Sequence, residues 1–469
     1  MKRYKVFVGG VSKDSIDSYV SSIDFDRKLA KYVAMVMLAH LKNLVNSHLI
    51  TIETAKKISY ELIKIIETEG RRLYEWIEKR GEKFEDVFEA LEIYLFSVVG
   101  EDAGRIAIGR SRNDHISAVL RLSIRDHMIK LLLKLLDLRE AFIDKSNKYR
   151  ETLFPFFTHA QLAQCGSATL YFLTYEYAFS NVWKILLELL ELVNQNPLGS
   201  GASAGTSVPL NKDVFAKLLC FDSTPLPPYY ATGSRLFMLS VASIFTILMT
   251  EIGRFVEDMM MMNNIVPQGI EIPREHISTS SIMPHKRNLV TLEIARAKVS
   301  RAIGLLTALL SSYKSVPYGY NLDFQEMNIY FYELVKDLDS TLEIITDFIK
   351  GLEINSDAIN KYLSDKPCWS SDIIEYISIN TNIPVRNLYA RLAEALQEYW
   401  RNNTDPLKSF LKSYGLELAD VWKIVKQKPI EKELDVLMNL ARERIARDYE
   451  RVKQINTVLM QCSEELIKI

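Results

Sequence analysis

Apolar residues recur at helical intervals through long stretches of this chain, and glycine and proline are missing from the same stretches. Neither occurs from Arg110 to Phe154, from Ser167 to Asn196, or from Tyr320 to Lys350. In the first stretch Ile116, Leu120, Ile124, Met128, Leu131, Leu135 and Leu138 follow one another at steps of three and four, the spacing of an amphipathic helix. About 40 residues at about 1.5 Å each make a rod roughly 60 Å long. Such a rod needs other long helices, from this chain or from identical chains, to cover its apolar stripe. The pattern predicts an all-α fold centred on a bundle of long helices shared across a homo-oligomer. No self-similarity at a fixed period points to a repeat array.

Turn-forming residues collect between the rods: Gly199, Gly201 and Gly205, then Pro225, Pro227 and Pro228, then the stretch from Gly269 to Pro284. The N-terminal part reads as shorter helices broken near Gly70 and Gly81. After Asn355 the pattern shortens again, with breaks at Pro367 and Pro384. Three domains are expected: a small helical one over 1–107, the long-helix bundle over 108–355, and a small helical one over 356–469.

Composition narrows the function classes. Lys plus Arg number 58 and Asp plus Glu 59, a net charge of −1, without the basic excess of a nucleic-acid binder. Cys165, Cys220, Cys368 and Cys462 lie far apart with no CxxC pair, which predicts buried free thiols in a reducing compartment and no cysteine zinc site. The seven histidines form no HExxH spacing, so no metal is expected. Val6–Val8, after the basic Met1–Lys5, ends at Gly9-Gly10 and is too short for a signal-peptide core. The most membrane-like run, Leu236–Met249, is interrupted by Ser and Thr and flanked by Arg235 and Glu251; a span needs roughly 20 apolar residues, so it reads as a buried helix. A cytoplasmic protein with no membrane partner is expected.

Three polar stretches interrupt the rods. Gly109-Arg110-Ser111-Arg112-Asn113-Asp114 heads the first rod; Ser, Asn and Asp are common N-caps, and a helix start beside Arg112 is equally a carboxylate site. Thr158-His159-Ala160-Gln161-Leu162-Ala163-Gln164 lies between two rods. A lone histidine there is more often structural, yet a hydroxyl, an imidazole and amides close together suit a polar pocket. Ser278-Thr279-Ser280-Ser281-Ile282-Met283-Pro284-His285-Lys286-Arg287-Asn288 places four hydroxyls before a Met-Pro and a basic cluster, in a segment of small residues that can act as a mobile lid. Its plain alternative is a solvated linker.

The third stretch resembles the signature loop of the fumarase/aspartase superfamily, Gly-Ser-Ser-x-Met-Pro-x-Lys-x-Asn. Ser111-Arg112-Asn113-Asp114 is similar to the branch that cleaves argininosuccinate, as are Thr158-His159 with Gln161 and Gln164, and Pro197-Leu198-Gly199-Ser200-Gly201-Ala202. Ser22–Asp26 and Tyr320-Asn321 with Gln325-Glu326 fall in order. The resemblance runs from about residue 20 to 330. Thr279, Leu289, Phe88 and Asn328 depart from the family pattern, where glycine, proline, histidine and lysine are usual.

The resemblance implies a β-elimination of argininosuccinate to fumarate and L-arginine, without a cofactor, in a homotetramer whose active sites are each built from three subunits. It implies Ser280 as the base, with Lys286 and loop amides stabilising its oxyanion. His159 would serve the leaving nitrogen, and Glu293 would orient that imidazole. Ser22, Arg112, Asn113, Thr158, Arg235, Asn288, Tyr320 and Gln325 would bind substrate. Rival readings are a lyase of the same superfamily acting on adenylosuccinate, aspartate or malate, a catalytically silent structural relative, and a helical scaffold that leaves the polar loops unexplained.

Overall fold

The structure, a computed structural model, describes residues 13–468 except 223 and 225. The N-terminal stretch weighed above as a signal segment, and Pro225, lie outside the described residues. Of the described residues, 73% are helical. Shorter helices come first: α1 (Asp14–Val20), α2 (Ile23–Asp26), α3 (Ala30–Asn46), α4 (Ile52–Glu67), α5 (Arg71–Arg80) and α6 (Val87–Val99). Next are α7 (Arg112–Lys148), a hairpin of β1 (Leu153–Thr158) and β2 (Gln161–Ser167), α8 (Ala168–Val193), α9 (Lys212–Leu219), α10 (Pro228–Gly233) and α11 (Leu236–Ile265). Strand β3 (Ile270–Glu271) precedes α12 (Val290–Lys314) and α13 (Asp323–Gly351), and β4 (Glu353–Ile354) pairs back onto β3. The chain closes with α14 (Ser356–Leu363), α15 (Ser370–Thr381), α16 (Val385–Tyr399), α17 (Asp405–Ser413), α18 (Leu418–Lys426) and α19 (Pro429–Ile467).

The three glycine- and proline-free stretches become α7, α8 and α13. Helix α7 has 37 residues and starts where Ser111 and Asp114 form a capping box, each side chain meeting the other's backbone. It lies against α8, α13, α19 and α3, so it is wrapped on several sides and buries polar as well as apolar positions. Gly70 and Gly81 end short helices at positive φ (83° and 62°), a conformation open to glycine at little cost. Helix α11 is long and apolar enough by composition to cross a membrane, but 61% of its most apolar window is buried, against α8, α12 and α13.

Three sequence expectations are corrected. The all-α expectation gives way locally: the polar stretch at 158–164 lies between two rods as read, but it ends β1, makes the turn and opens β2 of a hairpin. The pattern read as shortening after Asn355 ends in the longest helix among the described residues, the 39-residue α19, which returns to pack along α7, α8 and α9. Its apolar positions are diluted by charge, which hid it. The cysteines are not free: Cys165 pairs with Cys368 and Cys220 with Cys462, across 203 and 242 residues. No local spacing announces bridges that only the return of the C-terminal part creates.

A buried ionic cluster fastens α19 to the bundle. Arg139 donates to Glu176 through Nε and Nη2 (3.1 and 2.9 Å) and to Asp448 through Nη1 (2.7 Å), while Arg444 donates to the other Glu176 oxygen at 2.9 Å. Arg139 and Glu176 are almost fully buried. Removing one member of such a cluster strands a buried charge, at a cost of about 3–5 kcal/mol. Glu176→Ala is therefore expected to lower the thermal midpoint by several degrees or more, and an unchanged midpoint by calorimetry would remove this cluster from the account of how α19 is held.

Candidate active site

The predicted residues fall into three groups. The first surrounds the start of α7. Ser22 donates through Oγ to Asp26 at 2.8 Å, and its backbone N–H reaches the Glu85 carbonyl at 2.8 Å. Asp26 also accepts from Val87 N at 3.3 Å. Arg112 donates to Glu85 at 2.8 Å and pairs with Asp86, and its guanidinium carbon lies 6.0 Å from the centre of the Tyr320 ring. Tyr320 meets Phe324 edge-on at 5.9 Å, and Phe324 lies under Arg235 at 4.5 Å. Ser22, Arg112, Tyr320 and Arg235, named from widely separated segments, thus share one neighbourhood, with Gln325 beside Phe324 in sequence.

Several donors in this group are buried and have no acceptor among the described residues: Nε and Nη2 of Arg235, Nε of Arg112 and Nε2 of Gln325. Burial lowers the Arg235 pKa to about 10, against the opposing influence of Tyr320 and Tyr313. Stranded donors of this kind match what a carboxylate supplies.

Asn113 and Asp114 bind the glycine loop that follows α8. Asn113 Nδ2 donates to the Ala202 carbonyl at 2.9 Å, and Asp114 accepts from Gly199 N at 3.2 Å and Gly201 N at 3.0 Å. Gly201 has φ of 56°, and a Cβ there would lie 2.4 Å from the Gly205 carbonyl oxygen, so the residue type is dictated by backbone approach. Arg121 and Arg125 of α7 donate to the carbonyls of Leu192, Val193, Leu219 and Cys220, fixing the C-terminal ends of α8 and α9.

The second group is the hairpin tip. Thr158 faces Gln161 across a two-residue turn, and Thr158 and His159 are exposed. The third is the signature loop. Ser278 and Asn288 exchange backbone hydrogen bonds at 2.9 and 2.8 Å and close its base. His276 anchors that base to Thr291 at 2.9 Å and Asp347 at 3.1 Å. Beyond it Ile282 is 84% exposed, and Lys286 stands free in solvent. Ser280 has only a long contact from Ile282 N, at 3.5 Å. Glu293 is exposed on the first turn of α12.

Among the described residues no hydrogen bond or ion pair joins one group to another, and the side chains of His159 and Glu293 make none at all. Base, imidazole and binding residues are thus not linked by polar contacts within one chain. Of the departures, Phe88 and Leu289 are buried apolar residues, while Asn328 is buried with its Oδ1 lacking a donor. Sequence reasoning passed over Asp26, Glu85, Asp86 and Asp114 as site residues. Asp26 and Asp114 lie in the quoted motifs and Glu85 and Asp86 shortly before Phe88, but Val87, Arg112 and the glycine loop that they meet are distant in sequence or outside those motifs. Among the described residues no three His, Cys, Asp or Glu side chains gather as a metal site.

A family model described as a lyase matches residues 13–304. The chain is 35% identical to an argininosuccinate lyase of Sulfurisphaera tokodaii over 97% of this chain and 96% of that one. It is 33% identical to another from Pyrococcus furiosus over 96% and 97%. Among solved structures, an EDDS lyase in complex with formate superposes with a TM-score of 0.82 at 20% identity, covering 94% of this chain and 90% of that one. A class II fumarase from Schistosoma mansoni gives 0.71 at 13%, covering 90% and 93%. The chain belongs to the lyase family of the fumarase/aspartase superfamily, among the argininosuccinate lyases. It is a carbon–nitrogen lyase.

Asp26 gives the site a measurable pH signature. Burial, reinforced by Asp86, raises its pKa from 3.8 to about 7, against the hydrogen bonds from Ser22 and Val87. The folded state therefore holds this proton more tightly than the unfolded chain. The associated stability is complete below about pH 4 and is lost as pH rises through about 7. Asp26→Asn keeps the shape without the charge, so its thermal midpoint is expected to decline less than the wild type's between pH 4.5 and 7.5. Parallel declines would mean that Asp26 does not carry the proton.

Proposed function

We propose that this chain catalyses the β-elimination of argininosuccinate to fumarate and L-arginine. The observation that carries the reading is the uncovered signature loop, with Ser280 and Lys286 presented on a closed base, in a chain alignable almost end to end with argininosuccinate lyases.

The chemistry has two difficulties. The proton next to a carboxylate is weakly acidic, so charge developing on that carboxylate has to meet donors already in place. The unpaired donors of Arg235, Arg112 and Gln325, together with Ser22, Asn113, Thr158, Asn288 and Tyr320, are assigned to holding the substrate's carboxylates and amino group. Ser280 takes the proton, its own oxyanion stabilised by Lys286 and the loop amides. The leaving guanidinium nitrogen needs a proton as the bond breaks, and His159, oriented by Glu293, serves it. Every atom of this scheme comes from substrate and protein, so no cofactor takes part.

Because no hydrogen bond or ion pair links the three groups within one chain, we assign the site to a homotetramer in which each centre draws on three subunits. The apolar faces that the long helices leave uncovered support that assembly. We divide the chain at 1–107, 108–355 and 356–469, with α19 running back along the central bundle. We place it in the cytoplasm, without nucleic-acid or membrane partners. Its two disulfides suit a cell that keeps intracellular disulfides, as hyperthermophiles do.

The direct test is incubation with argininosuccinate, and separately with adenylosuccinate, following fumarate absorbance. Turnover of the first alone is expected, and turnover of the second alone would replace the substrate assignment. In Ser280→Ala, kcat should fall at least about a hundredfold with KM little changed, because the lost group acts in the transition state. Wild-type kcat in that variant would remove Ser280 from the chemistry.

A further inference from the structure

The β1–β2 hairpin carries Thr158 and His159 on an element that cannot fix its own geometry. A lone two-stranded hairpin is at best marginally stable, and this one is interrupted by a bulge between Phe156 and Phe157. Its turn is strained as well. His159 and Ala160 have φ of 53° and 56°, the left-handed values of a type I′ turn, which asparagine and glycine adopt far more readily. Consecutive left-handed residues with side chains persist where the surroundings over-determine them.

Phe154 and Phe156 pack on Tyr171 of α8, and the polar and covalent anchors of β2 come from the C-terminal third of the chain. Cys165 of β2 is bonded to Cys368, just ahead of α15. The Cys165 carbonyl accepts from Lys428 Nζ at 3.0 Å, and Lys428 pairs with Asp372 of α15 at 2.7 Å. Gln164 Nε2 donates to Ser371 Oγ at 3.1 Å. Both cysteines are buried, and Lys428 and Asp372 are mostly so. The anchorage sits at the root of the hairpin, four residues or about 13 Å along the strand from the exposed tip.

We infer that the C-terminal segment is a positioning device for the active-site imidazole: the Cys165–Cys368 bridge and Lys428 hold the root of the hairpin so that its tip presents His159 in one orientation. Cys165, Cys368 and Lys428 are positioning residues and touch no substrate. The inference rests on the assignment of His159 made above. It gives the 356–469 region a part in turnover, and it separates the two disulfides by purpose. Cys220–Cys462 joins the end of α9 to α19, away from the hairpin, and contributes to stability alone.

The test compares the double variant Cys165→Ala/Cys368→Ala with Cys220→Ala/Cys462→Ala, each as full-length protein well below its thermal midpoint. The first is expected to lose at least about tenfold in kcat, the scale of a misplaced catalytic group, with KM within about twofold. Its amide hydrogen exchange over 153–167 should be faster. The second should lose thermal stability with kcat and exchange over 153–167 unchanged. Lys428→Met should repeat the kcat loss in milder form and Lys428→Arg should restore it, which covers the case in which the double variant does not fold. Wild-type kcat in both hairpin variants, or an equal loss in the Cys220/Cys462 variant, would overturn the inference. If the wild-type protein proves inactive on argininosuccinate, the function assignment fails on its own. Exchange over 153–167 then decides the clamp: faster only in the hairpin variants supports it, and equal protection in all of them refutes it.

Discussion

Helix α12 runs for 25 residues and buries only Leu292, Ala295, Ala302 and Leu309 within its own chain, while Ile294, Ile303 and Leu310 remain exposed. A helix of that length costs backbone entropy along its whole course, and a single line of buried side chains offsets little of it. Helices α11 and α13 are far better covered, although Ile247 and Ile344 also remain exposed on them. Apolar surface seeking cover is thus the constraint behind the rest. Further copies of the chain would supply that cover, and closed symmetric assembly is the common way for identical chains to do so. The placement of the polar groups follows. The long central helices, from about 38 Å for α12 to about 55 Å for α7, carry the polar groups at their ends and on the loops between them, and in the tetramer proposed above groups at opposite ends would meet through different copies.

The polar groups are held by contacts within one chain. Carboxyl groups inside the protein fix residues proposed to bind substrate: Asp26 under Ser22, Glu85 and Asp86 on Arg112, and Asp114 across the glycine loop. Buried charges on both sides of these contacts are costly unless matched, and this one neighbourhood contains both matched pairs and unmatched donors. The unmatched donors lie on Arg235, Arg112 and Gln325, the residues assigned to substrate. The signature loop, by contrast, is closed only at its base and otherwise faces solvent, the low-stability behaviour expected of a segment that has to move.

Much of this was legible in the chain itself. The glycine- and proline-free stretches located α7, α8 and α13, because helical periodicity is a local property that survives whatever surrounds it. The motifs named Ser22, Arg112, Tyr320 and Arg235, and the fold does gather them. What remained hidden was non-local. Asp86 gives no sign that it will meet Arg112, twenty-six positions on. Cys165 and Cys368 are 203 residues apart. The strand character of 153–167 depends on pairing across a turn that contains neither Asn nor Gly. Helix α19, with its dilute apolar spacing, is long because it lies along α7 and α8, not because its own pattern demands it.

The central claim is that each active centre takes Ser280 and His159 from different copies of the chain. Mixing inactive variants tests it most directly. Ser280→Ala and His159→Gln should each be inactive alone. When equal amounts are unfolded together and reassembled, about a quarter of the sites in randomly mixed oligomers receive an intact loop from one variant and an intact hairpin from the other. Activity near a quarter of the wild-type value is predicted. Mixed oligomers, verified by mass, that remain as inactive as their parents would show that loop and hairpin come from the same chain.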